Sequence, residues 1–156
     1  MARLRLIQRL LVRLGEVGPG RRALVAEAVL CLLAARLALI VVPFPKLARR
    51  LGRFVPPEEA RRVVMAPIAP HARSAAEIGW AVTRAARYVP FKAVCLPQAM
   101  AARVMLKRRG VASTMRFGAA KGDMEPLDTH AWLDAGGVRV TGYPVSDRFV
   151  EIACFV

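Results

Sequence analysis

At 156 residues the chain has the length of one domain, and with 56% hydrophobic residues and a mean hydropathy of +0.37 it can bury a sizeable core. Against 11 acids stand 25 Lys and Arg, so the surface carries a net charge of +14 and attracts anionic partners, less strongly in salt. The cysteines, Cys31, Cys95 and Cys154, are odd in number and spaced unlike any zinc site, which argues against a disulfide framework or a metal centre and fits a reducing cytoplasm.

Residues 3–14 form a basic amphipathic pattern. Leu4, Ile7, Leu10, Leu11 and Leu14 recur at helical spacing, and Arg5, Arg9 and Arg13 mark another side. Such a helix suits contact with an anionic membrane surface or a partner, or packing on its own domain. Gly15 through Gly20, with Pro19, breaks the chain. Ala23 to Val42 is then almost wholly apolar and long enough to span a bilayer. Glu27 and Arg36 interrupt it, each costing roughly 3 kcal/mol at bilayer depth. No small-residue cleavage motif follows. The expectation is a helix buried in the fold or under a partner, with a membrane helix as the alternative. Cys31 within it, like Cys154 in the apolar tail, reads as an inert buried thiol. Pro43 and Pro45 end the run.

From Lys46 to Val89 the chain reads as short helices. Lys46 to Leu51 ends at Gly52. Pro57-Glu58-Glu59 opens another helix that runs to about Met65, with proline in the first turn and acids on the dipole. Ser74 with Glu77 has the form of a capping box. Ile78, Ala81, Val82 and Ala85 follow as an apolar stripe. Trp80, Arg84 and Arg87 are either cleft-rimming residues or ordinary packing and surface residues. His71 lies in the Pro67–Pro70 connection.

The most informative stretch runs from Cys95 to Tyr143. Cys95-Leu96-Pro97-Gln98 opens a helical run that reaches Arg109 and stops at Gly110, a good C′ residue. A cysteine attacks as its thiolate, and the unpaired N–H groups at a helix start favour an anion. Cys95 occupies that start, with Ala99, Ala102 and Leu106 on its face and Gln98, Arg103, Lys107 and Arg108 on the other. Next, Val111, Ser113, Met115 and Phe117 alternate with Ala112, Thr114 and Arg116 as a strand. A polar loop from Lys121 to Asp128 leads to a second strand, on which His130 and Trp132 share one face and Ala131 and Leu133 the other. Gly136-Gly137 is a hairpin turn, and Val138 to Tyr143 returns antiparallel. Phe149 to Val156 reads as a final core strand. Cys95 is the candidate nucleophile and His130 its base.

The Cys95-Leu96-Pro97 start, the Lys107-Arg108-Arg109-Gly110 helix end and the His130-Ala131-Trp132 strand resemble the lasso-peptide leader peptidases. These are cysteine proteases of the transglutaminase-like superfamily. The likeness extends to Ala85-Ala86-Arg87-Tyr88-Val89-Pro90-Phe91 and, more loosely, to Val42-Pro43-Phe44. The resemblance implies a third residue, an Asp about a dozen positions after the His. Here that place falls at Thr141-Gly142, and no acid is present. Asp134 shares the His130 face but lies roughly 13 Å along the strand. Asp147 follows Pro144. Thr141, Tyr143, a backbone carbonyl or a partner's side chain remain as orienting groups, with Gly142 or Tyr143 opposite His130 by cross-strand counting.

The fold expected is α+β in a single domain, 1–156. A helical N-terminal half (1–90) packs on a transglutaminase-like, papain-like core (91–156), in which a helix carries Cys95 and a small antiparallel sheet carries His130. The resemblance implies a cytoplasmic hydrolase of lasso-peptide biosynthesis with no cofactor and no metal. It would cut the leader from a ribosomally made precursor. A separate leader-recognition protein would bring the substrate, and an ATP-dependent lasso cyclase would take the product. The rivals are a non-catalytic basic protein that binds a membrane or a partner, and a transglutaminase-like acyltransferase. Nucleic acid is not an expected partner, since few aromatics are interleaved with the basic residues.

Overall fold

The apolar run from Ala23 forms a helix whose ends are set by its prolines. In the computed structural model, which describes residues 18–62, 69–122 and 127–156, helix α1 spans Pro19–Val41. Proline in a first turn forfeits no helical hydrogen bond. Pro19 therefore opens the helix instead of breaking the chain, and Gly20 lies inside it. Before Pro43 the chain turns extended at Val42, whose N–H still donates to the Ala38 carbonyl at 2.8 Å. The amphipathic pattern at residues 3–14 lies outside the described residues. Val25, Ala28, Cys31, Leu32 and Ala35 bury one side of α1 against α4 (Ala69–Ala86) and α5 (Cys95–Arg108), while Leu30, Leu33, Leu37, Ile40 and Val41 are exposed. The helix is long and apolar enough to cross a membrane, yet it rests on the domain along one face. Such a helix fits a soluble and a membrane-associated protein alike.

Short elements follow. Helix α2 (Phe44–Ala48) starts two residues earlier than Lys46, because Pro43 and Pro45 suit a helix entry. Strand β1 (Phe54–Val55) precedes α3 (Pro57–Arg62), whose first turn carries Glu58 and Glu59 on the positive end of the dipole. The expected continuation to Met65 leaves the described residues. Ser74 caps nothing, because α4 has begun at Ala69 with Pro70 in its first turn. Ser74 is interior, and His71 is helical. The stripe of Ile78, Ala81, Val82 and Ala85 is buried as its spacing requires.

The sheet is antiparallel, in the order β1-β5-β2-β3-β4. Strands β2 (Ser113–Lys121) and β3 (Leu127–Ala135) pair over nine residues without a register shift. Gly136 and Gly137, at φ +57° and +77°, turn the chain into β4 (Val138–Thr141), and only residues free of a Cβ penalty adopt two such angles readily. Strand β5 (Val150–Phe155) inserts between β2 and β1. Met115, Leu133, Ala135 and Phe155 join α1, α4 and α5 in the main core. Arg116, Trp132, Asp134 and Cys154 have the opposite parity, and on that face Cys154 packs with Val55 and Ala60 beside α3. The architecture is α+β with a helical N-terminal half.

Candidate active site

Cys95 is the first residue of α5. Val94 before it is extended, so the N–H groups of the first turn have no helical acceptor. Gln98 folds back over this end, its Nε2 donating to the Ala93 carbonyl at 2.6 Å. The helix is anchored by Pro97, Ala99, Ala102 and Leu106, all buried. Cys95 itself is half-buried and unoxidised, and its thiol makes no hydrogen bond among the described residues. The far end is held by Arg103, which is not a plain surface residue: its Nη1 donates to the carbonyls of Ser113 at 2.8 Å and Phe155 at 3.0 Å. Arg109 and Arg108 bind Glu27 of α1, and the hydrogen bonds from Arg109 hold that carboxyl below its ordinary pKa.

His130 sits near the start of β3, half-buried between two rings. Trp132 stacks at 5.9 Å between centroids and Phe149 at 5.3 Å. Opposite it in β2 is Gly118, where an added Cβ would come 2.9 Å from the Trp132 ring. His130 Nε2 lies 2.7 Å from the carbonyl oxygen of Gly142. A carbonyl only accepts, so Nε2 carries the proton and Nδ1 the lone pair. Gly142 has φ +82°, and a Cβ on it would overlap the Ala131 carbonyl oxygen and stand 2.8 Å from Trp132 Cα. No side chain, acidic or otherwise, fits there on this backbone.

The structure does not join Cys95 and His130 by a hydrogen bond. Helix α5 lies on the Leu133 face of the sheet. The unbroken β2–β3 register gives His130 the parity of Trp132 and Asp134, on the other face. None of the candidate third side chains bonds the imidazole. Asp134 takes a hydrogen bond from Arg116 Nε at 2.9 Å and from the Tyr143 hydroxyl at 2.5 Å. Thr141 is buried, and its Oγ1 lacks a partner. Asp147 is exposed. Arg116 also bonds Glu151 at 2.6 Å, making a compact charge network on the His130 side of the sheet. Burial and the Glu151 carboxylate, 2.8 Å away, push the Cys154 thiol up to about 12, and burial also raises Cys31. Neither is a nucleophile. Among the described residues no three His, Cys, Asp or Glu side chains converge as a metal site.

The pairing of Arg116 with Asp134 was legible as a cross-strand charge pair only once the β2–β3 register was known. The reach of Arg103 left no signal in the sequence. Comparison with known proteins gives one match, to the family described as the transglutaminase-like superfamily, over residues 38–154. No curated protein and no solved structure matches. That span covers most of the chain, including β1 to β5, the Cys95 helix and the His130 strand, and the chain belongs to the transglutaminase-like superfamily.

Proposed function

We propose that this protein is a cysteine peptidase that removes the leader from a ribosomally made lasso precursor before cyclisation, acting with a separate leader-recognition protein. The observation that carries the reading is the superfamily match, which spans both Cys95, at the tip of α5, and His130. The superfamily includes cysteine peptidases and acyltransferases. In the proposed reaction the Cys95 thiolate attacks the scissile carbonyl, and His130 Nδ1 holds the thiol proton and delivers it to the departing amine. The Cys95 N–H, in the free first turn of α5, faces the oxyanion. Water then attacks the thioester, gives its proton to His130 and releases the acid. Thiol and imidazole must come within hydrogen-bond reach for this, and catalytic contacts of this kind often tighten only when substrate binds.

The test is precursor cleavage followed by mass spectrometry, with the leader-recognition protein present. Wild type should cut one bond, and Cys95→Ala and His130→Ala should each abolish the cut. Cleavage that survives Cys95→Ala would remove the thiol from the mechanism. Efficient, specific cleavage by this chain alone would exclude the need for a separate partner. A second reading, a non-catalytic basic binding protein, is favoured by one observation: His130 and α5 lie on opposite faces of the sheet. An inactive complete mixture supports it.

A further inference from the structure

Trp80, Arg84 and Arg87 recur along one side of α4, and the fold sets them against the outer strand of the sheet. That strand is β4. Helix α4 crosses it so closely that a Cβ on Gly79 would stand 2.5 Å from the Val140 carbonyl oxygen. Beside this contact lies a crevice of about 410 Å³, walled by Trp80, Thr83, Arg84 and Arg87 from α4 and by Arg139 from β4. No carboxylate lines it.

The three arginines differ from most others near the sheet. Arg116, Arg61 and Arg148 each hold a carboxylate. Arg84, Arg87 and Arg139 hold none among the described residues. Arg84 lies over the Trp80 ring at 5.9 Å, with Arg21 over the same ring at 5.2 Å, and Arg139 lies over Tyr143 at 5.1 Å. The Nε of Arg84 is buried without a hydrogen-bond partner. Buried donors in native proteins are nearly always matched, so an unmatched guanidinium N–H marks a place for an acceptor. Guanidinium groups bind planar carboxylates through paired N–H donors. The crevice is several times larger than a single small anion requires, and Trp80 gives it an apolar wall.

We propose that the α4–β4 crevice binds an acidic peptide segment, with its carboxylates seated against Arg84, Arg87 and Arg139 and its backbone lying along Trp80. This site is separate from Cys95 and His130, and it holds whether or not the peptidase reading does.

The probe is a fluorescein-labelled hexaglutamate peptide, followed by anisotropy on the Cys95→Ala protein at about 0.15 M salt, where long-range attraction is screened. Arg84→Gln/Arg139→Gln should weaken binding about tenfold or more, the loss of one good charge-assisted contact. The exposed Arg87→Gln, which does not threaten the fold, should weaken it severalfold. Lys46→Gln/Arg49→Gln removes the same charge from an exposed stretch away from the crevice and should change it less than about twofold. Equal weakening by the two double variants would mean a diffuse positive field and overturn the proposal. So would the absence of binding, or displacement of the peptide by inorganic phosphate at equal affinity, which would make the site one for small oxyanions.

Discussion

Replacing Gly142 tests why the acid expected near this position is missing. The backbone there has φ +82°, a region that costs an L-residue roughly 1–2 kcal/mol. An added Cβ overlaps the Ala131 carbonyl oxygen and crowds Trp132 Cα, so the end of β4 must move away from β3. That movement also breaks the bond from His130 Nε2 to the Gly142 carbonyl, worth about 1 kcal/mol. Gly142→Ala should therefore cost about 2–4 kcal/mol. For a domain of this size Tm falls by about 2–4 °C per kcal/mol, which gives a drop on the order of 10 °C in a circular dichroism melt. Gly142→Asp should lose at least as much and should not raise precursor cleavage, because its carboxylate has no unstrained route to the imidazole. An aspartate variant with unchanged Tm and faster cleavage would refute this reasoning, for it would mean that the β4 end accepts a side chain and the glycine is incidental.

Four further outcomes follow from the same geometry. Iodoacetamide at neutral pH should label Cys95 well before Cys31 or Cys154, whose thiols burial keeps un-ionised, and early labelling of Cys154 by peptide mapping would contradict its packing against Val55 and Ala60. Arg116→Ala strands Asp134 and Glu151 and should cost about 3 kcal/mol in urea unfolding, whereas a neutral result would show the network to be idle. Leu32→Ala should cost about 3 kcal/mol and Leu37→Ala less than about 0.5, since only Leu32 is enclosed, and equal costs would mean that the outer face of α1 is covered in solution. Glu27 has its carboxyl pKa lowered by Arg109, so its contribution is present above the unfolded value of 4.5 and fades as pH falls through the folded one. Glu27→Gln should cost under about 1 kcal/mol at pH 7 and converge with wild type in acid, and a gap that widens in acid would reverse the assignment.

Local chemistry made much of this fold legible. Pro97 and Gly110 mark the two ends of α5, and Gly136-Gly137 marks the hairpin, because each suits a backbone conformation that few other residues favour. Alternation along β3 placed His130 and Trp132 on one face. Which face α5 covers is a tertiary matter, decided by the volume of Leu133 and Ala135 against α1 and α4, and no local pattern carries it. Ser74 and Glu77 form a persuasive cap in sequence, but Pro70 and the buried stripe after it extend α4 upstream. Strand β1 is two residues long and exists through its pairing with β5, a hundred residues later. Trp80, Arg84 and Arg87 could be grouped by helical spacing, while Arg139 reaches them only through the α4–β4 crossing.

The Gly142 carbonyl changes what His130 can offer. A carboxylate at that place would orient the ring and also stabilise an imidazolium by charge. A carbonyl fixes the same Nε2–H tautomer but supplies only its dipole. Nearby carboxylates do not make up the difference. Asp134 is bound to Arg116 and Tyr143, Glu151 to Arg116 and Arg61, and Asp128 to Arg148. Ring orientation by Trp132 and Phe149 is then the stronger constraint on His130. Gly118 and Gly142 belong to that constraint as much as the aromatic rings do, since a Cβ at either would press on Trp132 and disturb the stack. The site thus depends on two absent side chains, and its requirement for glycine comes from close packing around a histidine rather than from turn geometry alone.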